Sequence, residues 1–176
     1  QRYPDGATAL RERVQKGALL VNYVGHGGEV GWGHERFLDV NTILNWTNAD
    51  RLPLFMTATC EFSRWDDPAR TSAGEHVLLN PAGGGVGLMT TTRIAYSHTN
   101  QNINVAFYNV IFEQADELGR PKRLGDTYRQ VKVTGSSASY RSFALLADPT
   151  LQLALPRQEA FITAITDTLD NPVDTL

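Results

Sequence analysis

The chain contains a single cysteine, Cys60, which stands at the end of an apolar segment that opens with Leu54, Phe55 and Met56. A short apolar run between a proline and charged residues is typical of a buried strand. Because the run is nearly unbroken, it favours a central parallel strand covered on both faces. Open α/β sheets place ligands beyond the carboxyl ends of their strands. The thiol is therefore predicted to lie where such a fold binds ligands.

His26 follows a second segment of the same kind. Residues 18–24 predict another buried strand, and they run directly into Gly25-His26-Gly27-Gly28. A short helix over residues 40–46, with Asp39 as its N-cap, is predicted between the two strands. A strand–helix–strand unit of this kind forms parallel neighbours. Two adjacent strands are thus predicted to carry an imidazole and a thiol to one edge of a sheet.

This pair of side chains has a definite chemical use. A cysteine nucleophile needs a base within hydrogen-bond distance that takes its proton and later returns it to the leaving amine. Gly27 has no Cβ, so its backbone can approach a substrate carbonyl. The N–H groups of Gly27 and Cys60 are candidates for an oxyanion hole. Taken singly, a free cysteine at a strand end is often a core residue, and the glycines fit a tight turn equally well.

Further candidates follow Cys60 and a third predicted strand, residues 85–91. We predict substrate contacts for Glu61, Arg64, Trp65 and Arg93. The alternative for the loop after Cys60 is a solvated segment with Trp65 folded onto the core. The remaining histidines lack the HExxH spacing of a zinc peptidase, so no metal is predicted. The glycine-rich residues 80–87 lack the lysine of a phosphate-binding loop, so no cofactor is predicted.

Composition limits the class of protein. The 176 residues carry a net charge of −3, with 41% hydrophobic and 20% charged residues, which indicates one ordinary globular domain. No basic surface for nucleic acid is expected, and no apolar run approaches the ~20 residues that span a bilayer. A single cysteine excludes an internal disulfide and a multi-cysteine metal site.

The rest of the pattern predicts the organisation of the chain. Hydrophobic periodicity predicts helices over residues 5–16, 71–79, 100–118 and 124–133. Alternation over residues 150–155 predicts an edge strand. We assign residues 1–156 to the main domain and residues 157–176 to a linker or the start of a following β domain.

The segments VGHGGE (24–29) and CEFSRWDDP (60–68) resemble motifs of the gingipain-type cysteine peptidases. Members of this caspase-like family have strands that end in His-Gly and in Cys. Residues 71–75 and 147–151 add to the resemblance, which covers roughly residues 7–156. It implies an α/β, caspase-like three-layer domain with a mainly parallel sheet flanked by helices. His26 would be the general base and Cys60 the nucleophile.

Within this group the chain resembles most closely the sortases of the type IX secretion system. That resemblance implies a location on the extracellular face of the outer membrane and secreted proteins with a carboxyl-terminal sorting domain as substrates. It also implies other secretion-system components as possible partners, and a surface lipopolysaccharide as source of the acceptor amine. Whether water or an amine resolves the thioester is left open by the sequence.

The chain departs from the family pattern in two ways. Thr59 stands where gingipains and caspases usually carry alanine. The resemblance also implies that the chain is the carboxyl-terminal part of the catalytic domain, without an amino-terminal half that carries further strands and acidic residues. No third, histidine-orienting acid can be assigned, because Glu29 and Glu61 are near the motifs in sequence only.

Two other functions remain open at this point. One is a caspase-like scaffold that binds partners without catalysis. The other is a doubly wound module that binds a nucleotide or a small anion, with residues 25–28 as its turn.

Overall fold

The structure, a computed structural model, describes residues 4–113 and 119–155. At its centre lies a sheet of four strands, β1 (Leu20–Val24), β5 (Leu54–Ala58), β6 (Gly87–Thr91) and β7 (Phe143–Leu146). Their order across the sheet is β1-β5-β6-β7. The first three are parallel, and β7 pairs with β6 in the antiparallel sense. The predicted α/β class with a mainly parallel sheet is confirmed, as are its three parallel strands with slightly shifted ends.

Strand β5 is buried along its whole length. Leu54, Met56 and Ala58 belong to the core on one face of the sheet, whereas Phe55 belongs to the core on the other face. Side chains alternate between the two faces of a strand, so a strand with cores on both sides must be apolar at nearly every position. This is the physical reason for the unbroken apolar run before Cys60.

Helices cover both faces of the sheet. One core includes residues of α1 (Pro4–Lys16), α2 (Val40–Leu44) and α3 (Ala73–Leu79). The other includes residues of α4 (Ser97–Ile111), α5 (Leu124–Lys132) and α6 (Ala138–Ser142). Among the described residues, no helix combines the length and apolar character needed to cross a membrane.

A small antiparallel sheet follows β1 where the sequence predicts only a glycine-rich turn. It consists of β2 (Gly27–Gly28), β3 (Gly31–Trp32) and β4 (Leu38–Asp39). Trp32 is buried and stacks on Tyr23 of β1, with ring centroids 4.5 Å apart. The stacked rings attach the small sheet to the large one immediately beside His26. Asp39 caps α2 as predicted, because its carboxylate accepts the Thr42 N–H.

The predicted edge strand over residues 150–155 is wrong. The edge strand that pairs with β6 is Phe143–Leu146, and from the later segment only Gln152 forms a bridge, to Arg123. Residues 148–150 form a turn in which the Asp148 carboxylate accepts hydrogen bonds from the N–H and hydroxyl of Thr150. The helix predicted over 100–118 begins earlier, at Ser97, and ends at Ile111 with Phe112 as its C-cap. Residues 114–118 and the segment 157–176 lie outside the described residues.

Asn48 offers a test of the packing that holds β5 beside β6. Its buried side chain accepts the Gly84 N–H at 2.9 Å and donates to the Gly84 carbonyl at 3.1 Å. Asn48→Ala leaves both backbone groups without this partner, so we expect the free energy of unfolding to fall by about 1–3 kcal/mol. Urea denaturation measures the change.

Asn45→Ala is the matched control, because Asn45 is exposed at the C-cap of α2 and its side-chain amide donates to Asn41 of that helix. It should change the free energy of unfolding by less than about 0.5 kcal/mol. Equal losses for the two variants would contradict the role assigned to Asn48.

Candidate active site

The register of β1 and β5 extends beyond both strands. Val24 pairs with Ala58, and the Gly25 N–H donates to the Ala58 carbonyl at 3.2 Å. In a parallel ladder this bond belongs to the Val24–Ala58 pair, and continuing the register by one residue sets Gly25 opposite Thr59. His26 and Cys60 each come one residue after this position, on the two segments that leave the ladder.

The backbone of His26 is held by two hydrogen bonds, whereas its side chain is exposed. Its carbonyl oxygen accepts the Tyr23 hydroxyl at 2.7 Å and the Gly33 N–H at 2.7 Å. Burial, and secondarily the negative charge of Glu35, raise the pKa of Tyr23, so the hydroxyl remains a donor at neutral pH. The arrangement fixes the position of the histidine on the sheet and leaves the imidazole open to solvent.

Gly27 packs directly against the residue that precedes Cys60. A Cβ at this position would lie 2.4 Å from the Thr59 Oγ1 and 3.0 Å from the Gly31 carbonyl oxygen. Such distances are too short for any side chain to occupy. The glycine is thus required by the close approach of β2 to β5, in addition to any approach of a substrate.

The N–H of Gly27 is directed away from β3, the strand that pairs with β2. Gly27 pairs with Trp32 in an antiparallel ladder, and the preceding residue, His26, accepts the Gly33 N–H. Hydrogen-bonded and non-hydrogen-bonded pairs alternate along such a ladder. Gly27 therefore belongs to a non-hydrogen-bonded pair, and its N–H points outward from β3.

Cys60 is partly buried, and its Sγ lies 3.5 Å from the carbonyl oxygen of Ala95. The chain turns sharply after it, because Glu61 has a φ of 50°, an uncommon value for a residue with a side chain. The Glu61 N–H then donates to the Arg93 carbonyl and the Ser63 N–H to the Thr91 carbonyl. These bonds anchor the loop after the cysteine to the end of β6.

Buried hydroxyls add a second attachment beneath the cysteine. The Thr57 hydroxyl donates to that of Thr90 at 2.7 Å, and the Ser63 and Thr90 hydroxyls lie 2.9 Å apart. All three residues are fully buried. Since buried polar groups are stable only when they are paired, this chain of hydroxyls holds β5, β6 and the loop after Cys60 in one arrangement.

An ionic network joins the loop after Cys60 to the hairpin after His26. Glu29 lies between β2 and β3, and its carboxylate is 3.1 Å from Arg64 and 3.5 Å from Arg70. Arg64 also lies 3.6 Å from Glu61. Glu29 and Glu61 are thus both paired with arginines. Within the ranges that the structure describes, no carboxylate forms an ion pair with His26.

The four predicted substrate-contact residues surround the end of β5. Glu61 and Arg64 belong to the ionic network, whereas Trp65 is 49% exposed and is not folded onto the core. Arg93 is exposed and donates through both terminal nitrogens to the carboxylate of Asp66, at 2.9 Å for the first. These hydrogen bonds, and to a smaller extent the attraction between the opposite charges, lower the pKa of Asp66. The pair joins the loops that follow β5 and β6.

A cleft of about 810 Å³ opens beside His26. Its walls come entirely from the small sheet and the segment up to α2, and they combine glycine backbone with a few apolar and basic side chains. The lining residues are His26, Gly27, Gly28, Val30, Gly31, Gly33, His34, Arg36, Leu38, Asp39, Val40 and Asn41. Its size is in the range of sites that bind small molecules or several residues of a peptide.

Sequence reasoning missed Tyr23, Arg36 and the Ala95 carbonyl, because their positions depend on tertiary contacts that no local pattern reveals.

The structure also bears on the other functions considered. Residues 25–28 lead into a hairpin and not into a helix N-terminus, so the geometry of a nucleotide-binding turn is absent. Among the described residues, no cluster of side chains could hold a metal ion.

Comparison with known proteins agrees with this geometry. The model of "Peptidase family C25" matches residues 1–154. The complex of the pro- and mature domains of Porphyromonas gingivalis RgpB has a similar fold, with a TM-score of 0.72, 16% sequence identity, and coverage of 84% of this chain and 37% of that chain. The structure of the Arg-specific cysteine proteinase gingipain R (RgpB) gives a TM-score of 0.69 at 17% sequence identity. The match covers 84% of this chain and 36% of that chain.

A third structure, described as a protease, gives a TM-score of 0.70 at 15% identity and covers 89% of this chain and 42% of its own. The chain therefore spans well under half the length of the structures it matches. The similarity confirms the expected gingipain-like, caspase-like fold. Comparison with curated protein sequences gives no significant match.

Gly27→Ala tests the close packing between the hairpin and β5. The added Cβ would lie 2.4 Å from the Thr59 Oγ1, so we expect a loss of about 1–3 kcal/mol in the free energy of unfolding, as overpacking usually causes. Urea denaturation is the measurement, and Gly27→Ala combined with Thr59→Ala should recover part of the loss.

Gly28→Ala is the control, because a Cβ there meets no atom within 4 Å. Its unfolding midpoint should stay close to that of the parent chain. A Gly27→Ala variant as stable as the Gly28→Ala variant would show that the two elements are not in close contact.

Proposed function

Because this chain belongs to peptidase family C25, we propose that it carries out acyl transfer at a peptide bond, with Cys60 as the nucleophile and His26 as the general base. In this proposal the two residues form the catalytic dyad of a cysteine endopeptidase or transpeptidase. The substrates are polypeptides.

One observation carries the proposal. The ladder of β1 and β5 ends with the hydrogen bond between Gly25 and Ala58. His26 is the next residue after Gly25, and Cys60 is the second residue after Ala58. His26 is exposed and Cys60 is partly exposed, so neither side chain is fully buried in the core. Rigid strands that deliver a nucleophile and a base to one edge are the arrangement that such catalysis requires.

The proposed reaction has two halves. In the first, His26 takes the proton from the Cys60 thiol, and the sulfur attacks the substrate carbonyl. The imidazolium then donates this proton to the departing amine, which leaves an acyl group bound to Cys60 as a thioester. In the second half, water or an incoming amine attacks the thioester while His26 accepts the proton of the attacking group. The C–S bond then breaks, the acyl product leaves, and the proton returns from His26 to the Cys60 sulfur.

Backbone groups beside the dyad suit the stabilisation of the negative oxygen that forms during each attack. The Gly27 N–H points outward from β3, and with the Cys60 N–H it is proposed to form the oxyanion hole. One such donor is worth about 2.7–4 kcal/mol in the transition state. Glu61, Arg64, Trp65 and Arg93 border the same strand end, and we propose that they contact the polypeptide there.

The finer proposal concerns the physiological role, and it rests on the motifs. The segments 24–29 and 60–68 resemble those of PorU, the sortase of the type IX secretion system. By this resemblance the protein acts at the cell surface, removes the carboxyl-terminal sorting domain of secreted proteins and passes the acyl group to an amine of a surface lipopolysaccharide. Hydrolysis by water is the simpler outcome of the same thioester.

Alkylation by iodoacetamide tests the proposed dyad without a known substrate. If His26 deprotonates Cys60, the thiol should react at pH 7 about tenfold faster than a free peptide cysteine. His26→Ala should remove this acceleration. The pseudo-first-order rate, followed by mass spectrometry of intact protein, is the measurement.

His34→Ala is the matched control, because His34 is also exposed and its ring centroid lies 5.9 Å from that of His26. It should leave the alkylation rate within about twofold of the parent value. A thiol that reacts no faster than a free peptide, or one indifferent to His26→Ala, would favour a non-catalytic binding scaffold.

A further inference from the structure

The cleft beside His26 lies on a definite side of the proposed reaction. His26 protonates the departing amine, so the part of the substrate that leaves must lie next to its imidazole. His26 itself lines the cleft, together with residues of the small sheet and the start of α2. The cleft is therefore placed to hold the residues that follow the scissile bond, and this inference rests on the proposed function.

Arg36 is the arginine of this cleft, and its charge is uncompensated. Arg51 pairs with Asp50, Arg64 with Glu29, and Arg93 with Asp66. Within residues 4–113 and 119–155, by contrast, no carboxylate lies at ion-pair distance from the Arg36 guanidinium. An exposed cation on the wall of a cleft can accept a carboxylate without first breaking an existing ion pair.

The backbone of Arg36 is also unusual. Its φ is 54°, in the left-handed region that glycine adopts more easily, and its N–H donates to the Gly33 carbonyl at 3.2 Å. Non-glycine residues held in this region are uncommon and tend to occur at functional sites. A glycine would suit the conformation better, so the presence of an arginine indicates a use for its side chain.

The acidic groups near Arg36 are engaged elsewhere. Asp39 lines the same cleft, but its carboxylate caps α2 by accepting the Thr42 N–H at 2.8 Å. Glu35 lines the neighbouring groove, which Arg36 also borders, and its charge contributes to the raised pKa of Tyr23. The remaining ionisable groups of the cleft are the imidazoles of His26 and His34. Arg36 is thus the permanent positive charge that a bound peptide meets.

We propose that Arg36 is a specificity-determining residue, which pairs with an acidic side chain shortly after the scissile bond. The preferred substrates are then polypeptides with Asp or Glu among the first residues of the leaving segment. The apolar side chains of Val30, Leu38 and Val40 and the glycine backbone form the rest of the cleft. They provide surface along which an extended peptide lies.

Peptide binding tests the proposal without catalysis. The probes are three fluorescent hexapeptides with free amino termini, identical except for Asp, Asn or Lys at the second and third positions. In the Cys60→Ser variant at low salt, the Asp peptide should bind about 5–10-fold more tightly than the Asn peptide, as expected for one charge-assisted contact. The Lys peptide should bind most weakly. Fluorescence anisotropy measures the three dissociation constants.

Arg36→Gln should reduce the ratio between the Asp and Asn peptides to about 1, because the charge is gone. Arg11→Gln is the control, since Arg11 lines only the neighbouring groove and not this cleft. It should leave the ratio unchanged. Equal affinities for the three peptides, no detectable binding of the Asp peptide, or a ratio indifferent to Arg36→Gln would each overturn the proposal.

Arg36→Gly separates loss of the charge from loss of the fold. Glycine adopts a φ near 54° without strain, so this variant should unfold at the same or a higher urea concentration than the parent and still lose the preference for Asp. A preference retained in Arg36→Gly would overturn the assignment.

Cleavage assays keep this inference distinct from the proposed function. Peptides with Asp after the scissile bond should be cleaved with a kcat/KM about 5–10-fold higher than their Asn counterparts, and Arg36→Gln should abolish the difference. If the Asp and Asn peptides are cleaved with equal kcat/KM, the specificity proposal is wrong but the catalytic proposal stands. If the protein binds Asp peptides through Arg36 but forms no thioester, the catalytic proposal is wrong but the binding preference stands.

Discussion

The parallel pairing of β1 with β5 is the constraint on which the rest of the structure depends. Strand β5 is buried on both faces, so its register is fixed by two cores at once. A slip by one residue would exchange the faces on which Leu54 and Phe55 pack. The same register determines which residues follow the strands at the sheet edge. The packing that makes the fold stable thus also fixes the ends of β1 and β5, from which the segments with His26 and Cys60 continue.

Three further attachments hold the two strand ends. Tyr23 and Gly33 fix the carbonyl of His26, and buried hydroxyls fix the segment after Cys60 to β6. The third is the ion pair of Glu29 with Arg64, which joins the histidine hairpin to the cysteine loop. Each of these attachments joins a loop to a neighbouring element and not to another residue of the same loop. Catalytic groups need this kind of support, because small displacements reduce their efficiency sharply.

The sequence predicts the parallel strands, the caps of short helices and the two motifs, because each of these depends on local pattern. The apolar run before Cys60 is continuous since β5 has cores on both faces. The edge strand β7 was misplaced for a related reason. Leu145 and Leu146 pack against opposite cores, so the segment lacks the alternation of a half-exposed strand, whereas residues 150–155 alternate without pairing as one. Arg36 and Tyr23 carry no local signal, because their importance comes from what lies beside them in space.

The most direct test of the central claim is a crystal structure of the chain with Cys60 alkylated by a peptidyl chloromethyl ketone. The decisive quantity is the distance between the Cys60 Sγ and the nearer imidazole nitrogen of His26. We expect a separation below about 7 Å across an open cleft, close enough for proton transfer once a substrate is bound. A larger separation, or an unmodified sulfur enclosed by aliphatic side chains, would contradict it.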